Sequence, residues 1–333
     1  MPAERAVAEG LVEPEIVRRA QVTGVTVADR SAPDMAVDAA REAMARSGCA
    51  PGDISLLLHA SSYYQGHDMW APASYVQRLA VGNHCPAMEL RQTSNGGMAA
   101  LELAAAHLLG TGGTAALLTT ADRFGLPGID RWRSDEGTVL ADGATALVLA
   151  RGSGFAQLRS LVLLSEPELE RMHRGEDPFA LAPLSVRSPL SVVETTKAYL
   201  RSPEGQRSVV LMAARQRESV ARALEEADTG LAGVDWFVLP HFGQRRLDVN
   251  YTRRMGIDPA RTLWSWSRGV GHLGAGDQFA GLTRLVETGA VRPGQRCLLL
   301  GVGGGFTWSA AVLDILDVPE WTAPFSAGTQ VDL

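Results

Sequence analysis

One order of elements occurs twice in this chain, and it limits the available folds more than any other feature. Over 95–150 an alanine-rich helical stretch meets a glycine break at 110–113, then an apolar strand pattern, a polar loop and a second apolar strand pattern. Over 277–315 the order returns: helix, a break at Gly289 and Pro293-Gly294, apolar strand, Gly303-Gly304-Gly305, apolar strand. Short continuous apolar runs flanked by helices predict strands buried on both faces, in largely parallel sheets. The 333 residues suffice for two such halves. We divide them at 1–153 and 154–333.

In the first half the pattern predicts helices over 34–47, 73–79 and 95–109, and strands over 54–60, 87–90, 114–120 and 143–150. In the second it predicts helices over 208–227 and 277–287, and strands over 234–239, 261–266, 296–300 and 306–315. Residues 160–205 break the repeat and read as an insertion covering a pocket.

Hydrophobic content of 46% and charged content of 20% fit a globular protein, and a net charge of −6 gives no footprint for nucleic acid. No apolar run is long enough for a bilayer, and Met1-Pro2-Ala3-Glu4-Arg5 lacks a signal-peptide pattern. The expectation is a cytoplasmic protein with no membrane or nucleic-acid partner. Cys49, Cys85 and Cys297 have neither metal-ligand nor redox spacing and read as packing residues. No metal and no cofactor are expected.

Ser94 lies where the strand over 87–90 turns into the helix after it. Free N–H groups and the helix dipole favour negative charge at such a start, which suits a nucleophile. On this segment alone the serine reads first as a helix cap. Gly269-Val270-Gly271-His272-Leu273-Gly274 matches a dinucleotide-binding pattern, but the strand over 296–300 carries no acidic residue for a ribose. The glycines of a serine-hydrolase elbow are absent around Ser94.

The run Arg292-Pro293-Gly294-Gln295, followed by Gly303-Gly304-Gly305-Phe306-Thr307-Trp308-Ser309, resembles the C-terminal signature of the β-ketoacyl-carrier-protein synthase III family. Ala141-Asp142-Gly143-Ala144 resembles the loop closing that family's first half, and residues 54–98 align with its nucleophile segment. The resemblance covers nearly the whole chain. It implies a thiolase-like α/β fold of two duplicated βαβαβ halves, layered α-β-α-β-α. In the family a strand opens the chain; here residues 1–10 read as helical or irregular, which leaves that strand missing or truncated.

The resemblance places Ser94 where the family has cysteine, His241 at the family's histidine, and His272 where it has asparagine. That set is similar to acyltransferases of antibiotic and polyketide pathways. A serine hydroxyl is not ionised by a dipole alone and needs an adjacent base. His272 supplies one, and Asp277 either orients the imidazole or caps the helix over 278–287. His241 is a second donor to the carbonyl or a base for the acceptor. The backbone N–H groups of Ser94 and Gly304 are the implied oxyanion donors, worth roughly 3 kcal/mol each. Met69, Trp70, Asn95, Met172, Phe179, Phe242 and Phe306 are the expected pocket residues.

The implied activity is transfer of an acyl group, first of all an aromatic or branched one, to a hydroxyl or amine of a small-molecule acceptor. The stretch 13–18 has no tryptophan to hold coenzyme A, which favours a carrier-protein donor over other thioesters. A decarboxylative starter-unit synthase and a non-catalytic synthase-like partner are the alternatives. The resemblance also implies a homodimer joined near 87–91, with Met69 or Trp70 reaching the neighbour's pocket.

Overall fold

The computed structural model describes residues 1–319, and the repeated unit takes shape there as two four-stranded sheets. Strands β1 (Ile54–Ala60), β2 (Ala87–Leu90), β3 (Ala115–Asp122) and β4 (Gly143–Ala150) form the first, in the order β2-β1-β3-β4. Strands β5 (Ala156–Ser165), β6 (Trp236–Val238), β7 (Arg296–Gly303) and β8 (Thr307–Ile315) form the second, in the order β5-β8-β7-β6. β1 runs parallel to β2 and β3, and β6 parallel to β7; β4, β8 and β5 pair antiparallel.

Four helices complete the layers: α1 (Ala32–Ser47), α2 (Gly96–Thr111), α3 (Pro203–Glu226) and α4 (Asp277–Glu287). α1 covers the first sheet and α3 the second, while α2 and α4 lie between the sheets and touch both. The arrangement is the expected α-β-α-β-α of a thiolase-like fold. β3 is buried along its whole length because helices cover both its faces, which explains its unbroken run Ala-Ala-Leu-Leu. α2 is buried along its first turns between the sheets, while Leu103 and Leu109 on its outer side are exposed. α1, at the surface, has conventional ends: the Ser31 hydroxyl accepts the Asp34 N–H, and left-handed Gly48 follows its last turn.

Three expectations are corrected. Residues 261–266 are not a strand: a 3₁₀ turn (Pro259–Arg261) leads into a short helix (Trp264–Ser267), and only Thr262 bridges to Phe237. Asp258 accepts the Ala260 N–H and Thr262 Oγ1 the Trp264 N–H, so a cap and a local side-chain turn outweigh the strand-like tryptophans. The inserted segment is shorter than 160–205. Its first residues belong to β5, whose polar Arg159 and Ser160 fall at a register shift opposite β8 and hide the strand pattern. At its far end α3 already begins at Pro203. The helix expected over 73–79 is regular only over Pro72–Val76 and then widens over Gln77–Val81.

The repeat is visible in space. α1, β1, α2, β3 and β4 match α3, β6, α4, β7 and β8 in order and pairing. Two positions differ. β2 flanks β1, whereas among the described residues the equivalent β6 meets only the isolated bridge from Thr262 to Phe237 there. β5 covers the outer edge of β8, whereas among the described residues no strand covers the outer edge of β4. The chain opens instead on a helix (Ala3–Ala8), and Pro2 makes only an isolated bridge to Gly24. No helix among the described residues is long and apolar enough to cross a membrane.

Candidate active site

Two helix starts meet between the sheets, and missing side chains allow it. A Cβ on Gly97, in the first turn of α2, would sit 2.6 Å from the Ala275 carbonyl oxygen. Gly274, at φ +63°, lies directly against the Asp122 carboxylate, where a side chain would clash. The loop before α4 can therefore lie on the start of α2. Thr93, at φ +46°, turns the chain sharply just before Ser94 and donates its hydroxyl to the Gly304 carbonyl at 3.2 Å.

The contact brings Ser94, His272 and Asp277 into one line. Ser94 Oγ lies 2.7 Å from His272 Nε2, and His272 Nδ1 lies 2.6 Å from Asp277 Oδ2. A nitrogen facing a carboxylate carries the proton, which leaves the Nε2 lone pair facing the serine hydroxyl. Neither Ser94 nor Asp277 caps its helix. Asn95 and Gly276 hold the cap positions of α2 and α4. The Asp277 carboxylate instead accepts the backbone N–H groups of Leu273 and His241, each at 2.8 Å, besides the imidazole. These bonds hold it in one orientation.

Burial works against the charge on both partners, but each offsets it for the other. The Asp277 carboxyl is brought down to about 2 by the two histidines and by its hydrogen bonds. His272 is fully enclosed, yet Asp277 beside it, with Asp135 and Asp122 beyond, raises it above its ordinary value. His241 differs. Burial lowers it despite Asp277, its Nδ1 lies 3.0 Å from the Gly271 carbonyl, and its Nε2 is buried without a hydrogen-bond partner.

Two groups at the site carry no motif in the sequence. Asp122 ends β3 and accepts the backbone N–H groups of Ser62, Tyr63 and Ala275 at 2.7–3.1 Å. Burial pushes its carboxyl up to about 7 against those donors. It anchors the loop that carries His272. His173 comes from the inserted segment; its Nδ1 lies close beside Gly304 and its ring packs on Phe306 at 5.0 Å. A strand pattern or a lone histidine in a covering segment gives no signal for either role.

The expected pocket residues divide. Phe242 packs near the His272 ring at 5.7 Å, Phe306 stacks on Trp308, and Met172 is buried with Leu169, Tyr199 and Trp308. Phe179 is 94% exposed, against the guanidinium of Arg174. A phenylalanine in an inserted segment reads as a pocket wall only until the segment's own path is known. Asn95 is buried, but its amide joins Thr307 Oγ1 and Ser309 Oγ, so it ties α2 to β8. Met69 is fully exposed, and Trp70 packs on His67 and Tyr75.

Residues 224–315 match the family model described as 3-oxoacyl-[acyl-carrier-protein] synthase III C terminal. Among solved structures the chain is similar to ChlB3, an acyltransferase, with a TM-score of 0.91 and 38% identity over 96% of this chain and 95% of that one. It is 27% identical to the β-ketoacyl-[acyl-carrier-protein] synthase III of Neisseria meningitidis over 84% of this chain and 83% of the relative. The 3-oxoacyl-[acyl-carrier-protein] synthase III of Aquifex aeolicus shares the fold at a TM-score of 0.72 and 19% identity, with 90% of each chain covered.

Proposed function

Since this chain belongs to the β-ketoacyl-acyl-carrier-protein synthase III-like family and is a transferase enzyme, we propose that it moves an acyl group from a thioester through a Ser94 ester to a small-molecule hydroxyl or amine. The observation that carries this reading is the unbroken line Ser94–His272–Asp277, at 2.7 and 2.6 Å.

Ser94 Oγ gives its proton to His272 Nε2 and attacks the thioester carbonyl. The backbone N–H groups of Ser94 and Gly304 receive the oxyanion. Collapse breaks the C–S bond, and the proton on His272 passes to the leaving sulfur as thiol. The acceptor then attacks the ester carbon. Its proton, taken by a histidine lone pair, passes through His272 Nε2 to Ser94 Oγ as the C–O bond breaks.

The base reading of His241 is better supported than the donor reading. A carbonyl only accepts, so the Nδ1 beside the Gly271 oxygen carries the hydrogen. Burial keeps the ring neutral, so Nε2 holds a lone pair suited to take the acceptor's proton. Decarboxylation would need a neutral donor where His272 stands with its lone pair directed at Ser94.

A carrier-protein donor, an aromatic or branched acyl group, a place in secondary metabolism and a cytoplasmic setting extend this reading on the family resemblance. So does a homodimer. Its support is the outer edge of β2, where Met88 is half exposed and nothing among the described residues pairs. The division at 1–153 and 154–333 assigns the nucleophile to one half and both histidines to the other.

Offering an acyl thioester with either malonyl-carrier protein or a hydroxylated or aminated acceptor tests the reading. Ester or amide, free thiol and no carbon dioxide are expected. A β-ketoacyl product with carbon dioxide release, faster than any transfer, would overturn it.

A further inference from the structure

One histidine at the site has no part in the relay. His173 reaches it from the inserted segment, on a short helix (Arg171–Arg174). The segment is tied to the turn that it covers: Glu166 and Phe306 exchange backbone hydrogen bonds of 2.8 and 3.2 Å. Met172, buried with Leu169, Tyr199 and Trp308, seats the helix, and the Tyr199 hydroxyl donates to the Glu168 carbonyl at 3.2 Å. The next side chain is thereby turned onto Gly304 and Phe306.

Gly304 makes room for the ring. It lies outside the left-handed region, so close approach rather than backbone shape explains its missing side chain. A Cβ there would sit 2.7 Å from His173 Nδ1 and 2.9 Å from its Cε1. Thr93, next to Ser94, bonds the Gly304 carbonyl, so the nucleophile and the ring share this turn. The ring is only partly buried, and among the described residues neither nitrogen has a hydrogen-bond partner. An apolar ring would pack on Phe306 without leaving polar atoms unpaired.

We propose that His173 determines which acyl groups the enzyme accepts: its imidazole hydrogen-bonds a hydroxyl that the acyl group carries within three bonds of the reacting carbonyl carbon. This role rests on the Ser94 ester, in which Gly304 receives the carbonyl oxygen and the ring beside it faces the next atoms of the acyl group. A hydroxyl is the matching substituent. Burial lowers the His173 imidazole below its ordinary value despite Asp135, so the ring is neutral and offers one donor and one acceptor, as a hydroxyl does. The neighbouring charges are already matched. The Arg246 guanidinium holds the Asp135 carboxylate at 2.8 and 2.9 Å and also bonds Thr138 Oγ1 and the Glu136 carbonyl. That pair leaves no net charge of its own to call for a carboxylate or an ammonium group.

Single-turnover acylation of the full-length protein tests the proposal. The donors are N-acetylcysteamine thioesters of benzoate, 2-hydroxybenzoate and 4-hydroxybenzoate, and the readout is acyl mass gained on Ser94. The 2-hydroxybenzoyl rate should exceed the benzoyl rate at least about tenfold in wild type, because a polar site penalises the substrate that leaves it unpaired. His173→Phe should lower that ratio at least about tenfold. His173→Asn, which keeps a polar atom near the Nδ1 position, should hold it above the His173→Phe value. The ratio of 4-hydroxybenzoyl to benzoyl, with the hydroxyl out of reach, should not depend on residue 173. Each ratio is taken within one variant, so a general loss of activity does not imitate the effect. A ratio that falls less than about threefold in His173→Phe, or equally in both variants, with label on Ser94, would overturn the proposal and leave the ester standing. No label on Ser94 from any donor would remove the ester, and the proposal with it.

Discussion

The two copies of the repeated unit start their inner helices at equivalent places and use those starts in opposite ways. α2 presents a neutral hydroxyl, Ser94, just ahead of its positive end. α4 places a carboxylate, Asp277, in its first turn, where it is held by two backbone N–H groups and an imidazole. A fixed anion at a helix start is itself stabilised and converts that field into a hold on a neighbouring imidazolium. The start without one keeps its field for charge that arises only during reaction. The comparison teaches that one folding unit supplies both an anion site for the transition state and a permanent counter-charge for the base.

The largest effects should come from breaking the line between the two starts. Ser94→Ala and His272→Ala should each lower kcat by about 10⁶-fold, by analogy with other serine triads, and the double variant should be no worse than either. Steady-state rates with one acyl thioester check this; additive losses would mean that the two residues act separately.

Asp277→Asn sharpens the comparison by removing the anion from the second start alone. A loss of about 10⁴-fold in kcat is expected. The pH profile should change too. His272 works in its neutral form, and its pKa is raised above the ordinary 6.5, so wild-type activity falls as pH drops through a value above 6.5. Without the carboxylate the imidazolium loses its main support, and this acid limb moves to lower pH. A limb that stays in place would assign it to another group.

The sequence disclosed this centre unevenly. Ser94 and His272 were legible because the family resemblance places them and a serine needs a base, and Asp277 because it stands five residues on, at a helix start. His173 and Asp122 were not, since neither has a neighbour in sequence that reports its neighbour in space. The strand expected over 261–266 failed on local grounds: short apolar runs fit a buried helix as well as a strand, and the Asp258 and Thr262 side-chain bonds to the backbone decide. β5 was lost to the insertion because its register shift disturbs the alternation. Asn95, next to the serine, serves the frame, and Phe179, in the inserted segment, faces solvent.

Closing the contact between the two starts should cost stability before chemistry. Gly274→Ala meets the Asp122 carboxylate at a positive φ, and a loss of about 2–4 kcal/mol is expected from urea unfolding. Gly97→Ala, pressing on the Ala275 carbonyl, should cost about 1–3 kcal/mol. The smallest effect belongs to Phe179→Ala, outside both starts: under about 0.5 kcal/mol in stability, and unchanged preference among acyl donors. A changed preference would return Phe179 to the pocket.

The most direct test is to mix the protein with an acyl thioester in the absence of acceptor, quench with acid and weigh the intact chain. The relay predicts a gain of one acyl mass, located on the peptide that contains Ser94 and absent from Ser94→Ala. Label on Cys85, or turnover to product with no label on Ser94, would contradict it.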